Sequence, residues 1–294
     1  MLNLFKPKDA TARLTRGGRI DLERRFILAE RTSQGSMSKV YRALDRSTDQ
    51  TVGLKVQIRD KCEAAAARSC DEKPGEGEIG MRIVHPHVAR TLDWGYTYEG
   101  EQFIVMEYVD GVSLGYVRGA IKLGTRGKMK LLVQAAEGFA GIHAAGFIHH
   151  DVNPCNILIN KKNQVKIIDF GLAVPNTPLF HKPGNRTGAL PYMAPELIRR
   201  ESTDEKLDVF AFGAVAFEFL TGQLPFWGGG DSMAMIRERI NKDALDPAVA
   251  NPKLSEDLCS LLRRALAKRK EDRPSMAELA RRLAEVPPKR EETT

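Results

Sequence analysis

The sequence predicts an α+β fold in two parts, a small strand-rich part followed by a larger, mainly helical part. Two patterns predict it. The first third contains segments that alternate apolar and polar residues, as half-buried strands do, most clearly in Thr51–Ile58. Beyond residue 113 the apolar residues recur at three- and four-residue spacing, which is typical of amphipathic helices. Val109–Gly111 lies at this change, so we predict that it connects two lobes.

The strand-rich part begins with a predicted hairpin. Phe26–Ala29 and Val40–Leu44 are strand-like and flank a small, polar turn, Ser33–Ser38. Arg59–Glu78 is charged and alanine-rich, so we predict a helix there with an irregular start. Phe103–Tyr108 is an apolar run and is predicted to form another strand.

The second part is predicted to be helical with one long loop. Apolar residues between Leu131 and Ile142 form the stripe of an amphipathic helix that ends near Gly146. Val209–Leu220 is apolar nearly all round, which indicates a buried helix. The remaining predictions are two short strands at Ile157–Ile159 and Val165–Ile168, a loop at Val174–Pro191, and helices from Asp231 to about Val286.

Composition narrows the class of protein. The chain has 294 residues and a net charge of +7, with ordinary apolar and charged fractions, so wholesale disorder is excluded. No uncharged apolar run approaches the roughly 18 residues of a membrane span. The first 25 residues hold seven Lys/Arg against three acidic residues, so we expect residues 1–21 to form a basic flexible arm and 286–294 a polar tail. A solvated tail is favoured over nucleic-acid binding for this arm.

The four cysteines show no metal-binding spacing. Cys62, Cys70, Cys155 and Cys259 form no CxxC pair and have no histidine at a ligand offset. They fit free thiols in a reducing cytoplasm better than a disulfide framework.

Three short motifs carry chemistry, in this order along the chain: VGLK (Val52–Lys55), HHDVNPCN (His149–Asn156) and IDFG (Ile168–Gly171). Each motif alone has an ordinary interpretation as a surface lysine, a local cap or a turn. Together they supply the parts that phosphoryl transfer needs.

The physical demands of that reaction are specific. Bound ATP is strongly negative, so a lysine must neutralise its phosphates, and Lys55 is the candidate. Mg²⁺ prefers oxygen ligands and keeps several waters, so one carboxylate and one amide oxygen suffice, here Asp169 and Asn156. A further carboxylate, Asp151, can orient the attacking hydroxyl and accept its proton.

With these residues in place, the chain resembles the eukaryotic-type (Hanks-type) serine/threonine protein kinase family over residues 22–285. Further motifs carry the resemblance: IVMEYVDG (Ile104–Gly111) resembles the hinge, PYMAPE (Pro191–Glu196) the APE box, and DVFAFG (Asp208–Gly213) the buried F-helix motif with Phe in place of Trp. EDRPS supplies Arg273, which in the family forms a buried ion pair with the glutamate of APE, here Glu196.

The resemblance implies a two-lobed kinase fold. Its N-lobe, about 22–107, would be a small antiparallel sheet with the helix that the family calls αC, and its C-lobe, about 111–285, would be mainly helical. Lys55 would contact the α- and β-phosphates of ATP and pair with a glutamate of αC. Glu76 has the offset expected for that partner, and Glu72 and Glu78 remain alternatives.

The resemblance also implies a site for ATP with Mg²⁺ or Mn²⁺. Asp151 would be the catalytic base, assisted by Lys55 and Asn156, and Asn156 and Asp169 the metal ligands. Val40, Gly53 and Leu158 would enclose the adenine ring. The full set of nucleotide-contacting positions implied is Ser33, Gly35, Val40, Gly53, Lys55, Glu76, Met106, Glu107, Val109, Asn153 and Leu158.

Three features depart from the family pattern. The phosphate loop, Ser33–Val40, keeps one glycine of the family's GxGxxGxV, which predicts weakened nucleotide binding. His150 replaces the arginine before the base, the non-RD pattern, which predicts activity without a phosphorylated loop. Asn153 and Ala189 replace a lysine and a threonine that the family links by hydrogen bonds, which predicts a slower enzyme or an altered acceptor.

The function implied is transfer of the γ-phosphoryl group of ATP to serine or threonine hydroxyls of proteins. One alternative is a pseudokinase, a scaffold with little or no turnover, favoured by the degraded glycine loop, Asn153 and Ala189. The other is a kinase-like phosphotransferase acting on small molecules, against which APE, the F-helix motif and Arg273 count. The partners expected are ATP and protein substrates, and the sequence does not indicate an oligomeric state.

Overall fold

The structure, a computed structural model, describes residues 15–34, 38–58, 73–182, 187–226, 229 and 231–286. The chain divides into two compact units. The amino-terminal unit comprises Met1–Met81 and Ala89–Tyr108, and the carboxy-terminal unit comprises Arg82–Val88 and Val109–Thr294. The segment Arg82–Val88 therefore belongs to the carboxy-terminal unit, although it lies in sequence between two parts of the amino-terminal unit. The sequence prediction did not include this interruption. Within each unit the class of structure agrees with the predicted two-lobed α+β fold.

The amino-terminal unit is a six-stranded sheet with two short helices. Its strand order is β1-β5-β6-β4-β3-β2, and all neighbours are antiparallel except the β1–β5 pair. The elements are β1 (Arg19–Ile20), α1 (Leu22–Arg25), β2 (Phe26–Gln34), β3 (Ser38–Asp45), β4 (Gln50–Gln57), α2 (Glu76–Arg82), β5 (Thr91–Thr97) and β6 (Gln102–Glu107).

The core of this unit lies under the central strands. Phe26, Val52, Leu54, Phe103 and neighbouring residues pack into one buried cluster, because alternate residues of adjacent strands point to the same face. The predicted hairpin is confirmed as β2 and β3. Its tip, residues 35–37, lies outside the described residues and includes Gly35, a predicted nucleotide contact.

Residues 15–20 differ from the predicted flexible arm. Thr15 and Arg16 donate their backbone amides to the Asp93 carboxylate at 2.8 and 3.0 Å, and β1 pairs with β5. Arg25 binds the same carboxylate at 2.7 Å. This part of the arm is folded because a buried carboxylate on β5 needs these donors.

The helix predicted over Arg59–Glu78 lies largely outside the described residues. The described part of this region contains α2, which starts at Glu76 and buries Glu76, Gly77, Ile79 and Gly80. Cys62 and Cys70 also lie outside the described residues, while Cys155 and Cys259 are free thiols.

The carboxy-terminal unit is mainly helical. Three strands pair in the order β10-β9-β7, and β11 pairs with β8. The elements are β7 (Gly111–Ser113), α3 (Leu114–Ala120), α4 (Thr125–Ala144), β8 (Phe147–Ile148), β9 (Ile157–Asn160), β10 (Val165–Ile167), β11 (Val174–Pro175), α5 (Pro195–Arg199), α6 (Lys206–Thr221), α7 (Ser232–Asn241), α8 (Pro247–Ala250), α9 (Glu256–Ala265) and α10 (Met276–Glu285), with 3-10 turns at Pro154–Asn156, Leu190–Tyr192 and Lys270–Asp272.

Helix α6 is the centre of this unit. Every residue from Leu207 to Leu220 is buried, which confirms the predicted buried helix. The helices α7, α9 and α10 are each preceded by a capping residue whose side chain accepts hydrogen bonds from first-turn amides: Asp231, Ser255 and Ser275. In the described part of the chain, no helix combines the length and the apolar character needed to cross a bilayer.

Candidate active site

Lys55 lies in the middle of β4 and forms a buried ion pair. Its Nζ contacts Oε1 of Glu76, the first residue of α2, at 2.6 Å, and each residue is 7% exposed. Gln57, two positions along the same strand, donates its Nε2 to Glu76 Oε2 at 3.2 Å. Both carboxylate oxygens of Glu76 are thereby hydrogen-bonded, which is what a buried charge requires.

Of the two alternative glutamates, the structure describes Glu78. Glu78 accepts the backbone amide of Gly75 at 2.9 Å and so caps the start of its own helix. Glu72 lies outside the described residues. Within the described part of the chain, Glu76 is the member of the predicted set that the structure brings to Lys55.

The sheet brings several predicted nucleotide contacts to one face. Val40 lies directly opposite Lys55 in the β3–β4 pair, and Gly53 lies opposite Met106 in the β4–β6 pair. Directly opposed residues share a face, as do residues two apart on one strand, so these four share one surface. A Cβ at Gly53 would lie 3.0 Å from Met106 Cγ, so glycine leaves room for the methionine.

Other predicted nucleotide contacts are less well defined. Ser33 lies on β2 opposite Val40, where its backbone placement is described. Glu107 ends β6 and exchanges backbone and side-chain hydrogen bonds with Arg90. Val109 and Leu158 belong to the carboxy-terminal unit, where both are half-buried. Their contacts with a nucleotide stay predictions.

The loop that carries Asp151 is held by a buried carboxylate from α6. Asp208 accepts the backbone amides of His149 and His150 at 2.7 and 2.9 Å, and the Nε2 of His143 contacts it at 2.8 Å. Burial alone would raise the pKa of the Asp208 carboxyl, but the His143 hydrogen bond and the nearby histidines hold this pKa below its ordinary value. The loop backbone is thereby fixed through an ionised carboxylate.

His150 occupies a left-handed backbone conformation, with φ at +64°. This conformation is uncommon for a residue with a side chain, and it persists where the surroundings over-determine it. Here the two amide bonds to Asp208 supply that constraint. The side chain of His149 also fixes the loop. Its Nδ1 accepts a hydrogen bond from the Asp151 amide at 3.2 Å, and its ring makes edge-to-face contacts with Phe139 and Phe170.

Asn156 orients the Asp151 carboxylate. Its Nδ2 donates to the Asp151 backbone oxygen and to Asp151 Oδ2, both at 2.9 Å. Because Nδ2 is the donor in both contacts, Oδ1 of Asn156 is the atom that could ligate a cation. The predicted base and one predicted metal ligand are therefore direct neighbours.

Asp169 follows the strand next to this loop. The Ile168 amide donates to the Asn156 backbone oxygen at 3.0 Å, so the segments that carry the two predicted metal ligands adjoin. Asp169 has φ at +70° and an exposed side chain whose Oδ1 accepts the Gly171 amide at 2.9 Å. The strained backbone turns Phe170 into the core against His149 while leaving the carboxylate at the surface.

Asn153 uses its side-chain amide inside the loop. Its Nδ2 donates to the Asp151 backbone oxygen at 3.1 Å, and its Oδ1 accepts the Cys155 amide at 2.9 Å. The family's lysine at this position could not make the second contact, because an ammonium group is not an acceptor. The predicted contact of Asn153 with a phosphate stays a prediction.

The segment before the APE box passes directly over the base. A Cβ built on Gly188 would lie 2.8 Å from the His150 oxygen and 3.4 Å from Asp151 Oδ1, and its φ is +92°. At the other end of the segment, Tyr192 donates its hydroxyl to the buried Glu218 at 2.7 Å. Burial raises the pKa of Tyr192, so its hydroxyl stays protonated and can donate.

The predicted Glu196–Arg273 ion pair is confirmed. The Arg273 guanidinium binds both Glu196 oxygens, at 2.6 and 2.8 Å, and both residues are buried. Its remaining N–H groups donate to the backbone oxygens of Lys206, Ala267 and Lys268. The guanidinium also lies over the Phe210 ring at 4.9 Å, at the position where the family has tryptophan.

The roles of three contributors to the site were not predicted from the sequence. Gln57 is the second donor to Glu76, and its signal was its position on the Lys55 face of the strand. Asp208 is the anchor of the catalytic loop, and a carboxylate in an otherwise apolar helix was a usable signal. Gly188 approaches Asp151 closely, and no local pattern indicated that.

Comparison with known proteins gives the family. The model of the protein kinase domain matches residues 28–283. The chain therefore belongs to the protein kinase domain family, and the predicted resemblance is confirmed.

Three similar bacterial proteins are named as serine/threonine-protein kinases. The probable serine/threonine-protein kinase pknA2 of Bifidobacterium longum is 29% identical over 272 residues, which cover 90% of this chain and 35% of that protein. Pkn3 of Myxococcus xanthus is 30% identical over 257 residues, covering 83% and 46% respectively. PknB of Mycolicibacterium smegmatis is 31% identical over 263 residues, covering 86% and 41%. The chain thus spans less than half the length of these relatives.

Proposed function

We propose that this chain transfers the γ-phosphoryl group of Mg-ATP to serine and threonine hydroxyls of proteins. The observation that carries the proposal is the contact between Asn156 Nδ2 and Asp151 Oδ2, on a loop fixed by Asp208. It puts a carboxylate that can accept a proton beside an amide oxygen that can ligate a metal. The names of the bacterial relatives support the same activity and the serine/threonine preference.

Asp151 acts on the acceptor in this proposal. Its carboxylate accepts a hydrogen bond from the acceptor hydroxyl and orients that oxygen toward the γ-phosphorus. As the new O–P bond forms, the bond between that phosphorus and the β–γ bridging oxygen breaks. The hydroxyl proton passes to Asp151, and ADP leaves.

The donors at Asn156 and Asp169 fit a magnesium ion. An amide oxygen and a carboxylate are hard oxygen ligands, and Mg²⁺ completes its coordination with water and phosphate oxygens. Within the described residues, no three His, Cys, Asp or Glu side chains gather into a protein-only metal cage. When bound, the metal neutralises the charge of the phosphates and orients them.

Lys55 neutralises negative charge on the nucleotide. Its ammonium group is held by Glu76, so the long side chain does not have to be immobilised when ATP binds. Val40, Gly53 and Met106 share its face of the sheet and offer the apolar surface that the adenine base requires.

The free thiols of Cys155 and Cys259 fit the cytoplasmic setting that the sequence predicts.

The test combines one variant and a panel of acceptors. Wild type and Asp151→Asn are incubated with Mg-ATP and a library of serine, threonine and tyrosine peptides, and separately with aminoglycoside and choline-like acceptors. We expect phosphopeptides on Ser and Thr, reduced at least ~100-fold in Asp151→Asn, since a positioned base contributes 10²–10⁴-fold. The exposed Asp257→Asn is the matched control and should be unchanged.

The same experiment separates the alternatives. A scaffold without turnover is favoured by one observation, the use of the Asn153 amide inside its own loop. Such a scaffold would give no phosphopeptide with either protein. Labelling of the small molecules alone would establish the small-molecule enzyme instead.

A further inference from the structure

Arg239 is an arginine buried completely inside the carboxy-terminal unit. It lies on α7 and is 0% exposed. Its guanidinium donates to three backbone carbonyls of one short segment. Nη1 donates to the oxygens of Leu190 and Met193, the latter at 3.0 Å, and Nη2 donates to the Pro191 oxygen at 2.8 Å. The group also lies over the Phe226 ring at 5.3 Å. One side chain thus donates hydrogen bonds to three carbonyls of a single backbone turn.

This position is energetically unfavourable for a cation. Among the described residues no carboxylate offsets its charge, and burial lowers the pKa of Arg239 to about 10. Its Nε has no hydrogen-bond partner within the same described ranges. A buried charge with no counter-charge and one unsatisfied donor costs stability, which raises the question of what the group contributes. An apolar side chain would carry no charge to desolvate, but it would leave these carbonyls without their Arg239 donor.

The apolar surroundings make that alternative concrete. Ile236 and Ile240, on the same helix as Arg239, pack with Leu190 and Met193 around a cluster that includes Leu197. The helix and the turn are therefore already joined by hydrophobic contacts. What Arg239 adds is a fixed position for three carbonyl groups, since its planar fork of donors has a defined geometry.

The carbonyls belong to residues 187–193, the segment that lies against the proposed base. Gly188 approaches the His150 oxygen and the Asp151 carboxylate so closely that a Cβ there would lie 2.8 and 3.4 Å from them. Ala189 has no hydroxyl with which to link this segment to the catalytic loop. The turn that follows Gly188 in the chain is held by the Arg239 guanidinium and by the Tyr192–Glu218 hydrogen bond.

We propose that Arg239 is a positioning residue for the protein acceptor, which it serves by holding residues 187–193 clear of the Asp151 carboxylate. The inference rests on the proposed kinase function. Without the three hydrogen bonds, the turn formed by residues 190–193 can shift, and Gly188 can shift with it. Because Gly188 already lies close to Asp151, a shift toward this residue would block access to its carboxylate. The approach of the acceptor hydroxyl suffers, whereas the residues proposed to bind ATP are untouched.

The test uses Arg239→Met and Arg239→Lys, with Arg237→Met as the control. Methionine removes the buried charge and keeps an unbranched apolar stem. Lysine keeps the charge but has no planar fork. Arg237 lies on the same helix and is exposed. For each protein, kcat and KM are measured for the library's best Ser/Thr peptide, with KM for ATP and the rate of ATP hydrolysis without peptide.

We expect both Arg239 variants to lose at least 10-fold in kcat/KM for the peptide. The KM for ATP and the hydrolysis rate should stay within twofold of wild type. A peptide kcat/KM within twofold of wild type would overturn the inference. A parallel fall in peptide transfer and ATP hydrolysis would overturn it as well, because it would indicate general damage.

A second readout does not depend on turnover. The Tyr192 amide donates to Ala189 and the Met193 amide to Leu190, so both report on this turn. Their hydrogen exchange should be at least 10-fold faster in Arg239→Met and unchanged in Arg237→Met. Equal exchange in all three proteins would overturn the positioning role. A wild-type protein that transfers no phosphate would instead contradict the proposed function, and the exchange result would still stand.

Discussion

Gly77 is the residue at which a single added methyl group should disturb the Lys55–Glu76 pair. It follows Glu76 in α2, and a Cβ there would lie 2.5 Å from both Cβ and Cγ of Trp94. Cβ is fixed by the backbone, so no rotamer change moves it away, and Cγ moves only if the whole indole swings about χ1. The indole also cannot retreat freely, because its far edge lies against Gly17, where a Cβ would be 3.0 Å from Cη2.

The size of the effect follows from two opposing terms. Overpacking a buried contact costs about 1–3 kcal/mol. Replacing a helical glycine by alanine returns about 1 kcal/mol. The two terms differ by about 0–2 kcal/mol, and because Trp94 Cβ cannot move without the backbone, we expect Gly77→Ala to fall in the upper half of that range, a loss of about 1–2 kcal/mol of stability. A loss of this size lowers Tm by about 2–8 °C.

The variant should also bind ATP more weakly, and this effect should be larger in free energy than the loss of folding stability. A shift of α2 away from Trp94 moves Glu76 relative to Lys55, and a hydrogen bond between charged groups is worth about 1.5–3 kcal/mol. We therefore expect the Kd for Mg-ATP to rise about 10-fold or more. Thermal unfolding and titration calorimetry measure the two quantities on the same samples.

Two further variants make the prediction sharp. Gly119→Ala is the matched control, since it lies in a helix and nothing stands within 4 Å of the added Cβ, so it should be neutral or more stable. Adding Trp94→Ala to Gly77→Ala removes Cγ and the ring, so it should restore part of the ATP affinity by relieving the contact. If Gly77→Ala matches Gly119→Ala in both stability and ATP affinity, the packing argument is wrong.

Three further predictions concern the carboxy-terminal unit. Replacing Thr177 and Thr187 together by alanine should leave the rate of peptide phosphorylation within about twofold, because no arginine precedes the base to grip a loop phosphate; a hundred-fold loss would contradict this. The pKa of Asp208 is lowered by folding, so its stabilising effect is present above about pH 4 and is lost as pH falls through the lower folded pKa; urea unfolding between pH 3 and 7 should show a smaller rise of stability with pH in Asp208→Asn than in wild type, and equal slopes would refute it. Arg273→Met should cost about 3–5 kcal/mol by leaving Glu196 buried without its partner, whereas pairing it with Glu196→Met should recover most of that loss; equal unfolding free energies for the single and double variants would show that the charge pair is not responsible.

The features that could be predicted from sequence are those whose signal is local. The buried helix Val209–Leu220 could be predicted because its residues are apolar on nearly every face. Lys55 was identifiable because it sits on an alternating strand whose opposite face is apolar. Asp151 and Asn156 were predictable together, since their spacing in one loop suits a base beside a metal ligand.

Strand β5 was missed because its inward positions are not apolar. Thr91, Asp93, Gly95 and Thr97 are the buried residues of this strand. Alternation of hydrophobicity therefore points to the wrong face or to none. Asp93 is buried because Arg25 and two backbone amides from residues 15 and 16 satisfy it, and these partners are 68–78 residues away in sequence.

The role of Arg239 had no sequence signal either. A basic residue on an amphipathic helix is usually solvent-exposed, as Arg237 on the same helix is. Its burial results from how α7 packs on the Leu190–Tyr192 turn, which is a property of the tertiary structure. Gly188 is similar, because its need for glycine arises from the nearby Asp151 loop and from its positive φ.

The central claim is that Asp151 accepts the proton during phosphoryl transfer and does not bind ATP. A single-turnover measurement tests it most directly: γ-labelled Mg-ATP is mixed with excess enzyme and peptide, and ATP affinity is measured in parallel. For Asp151→Asn we predict a transfer rate at least ~100-fold below wild type, with the ATP Kd within about twofold. An unchanged transfer rate in this variant would contradict the account.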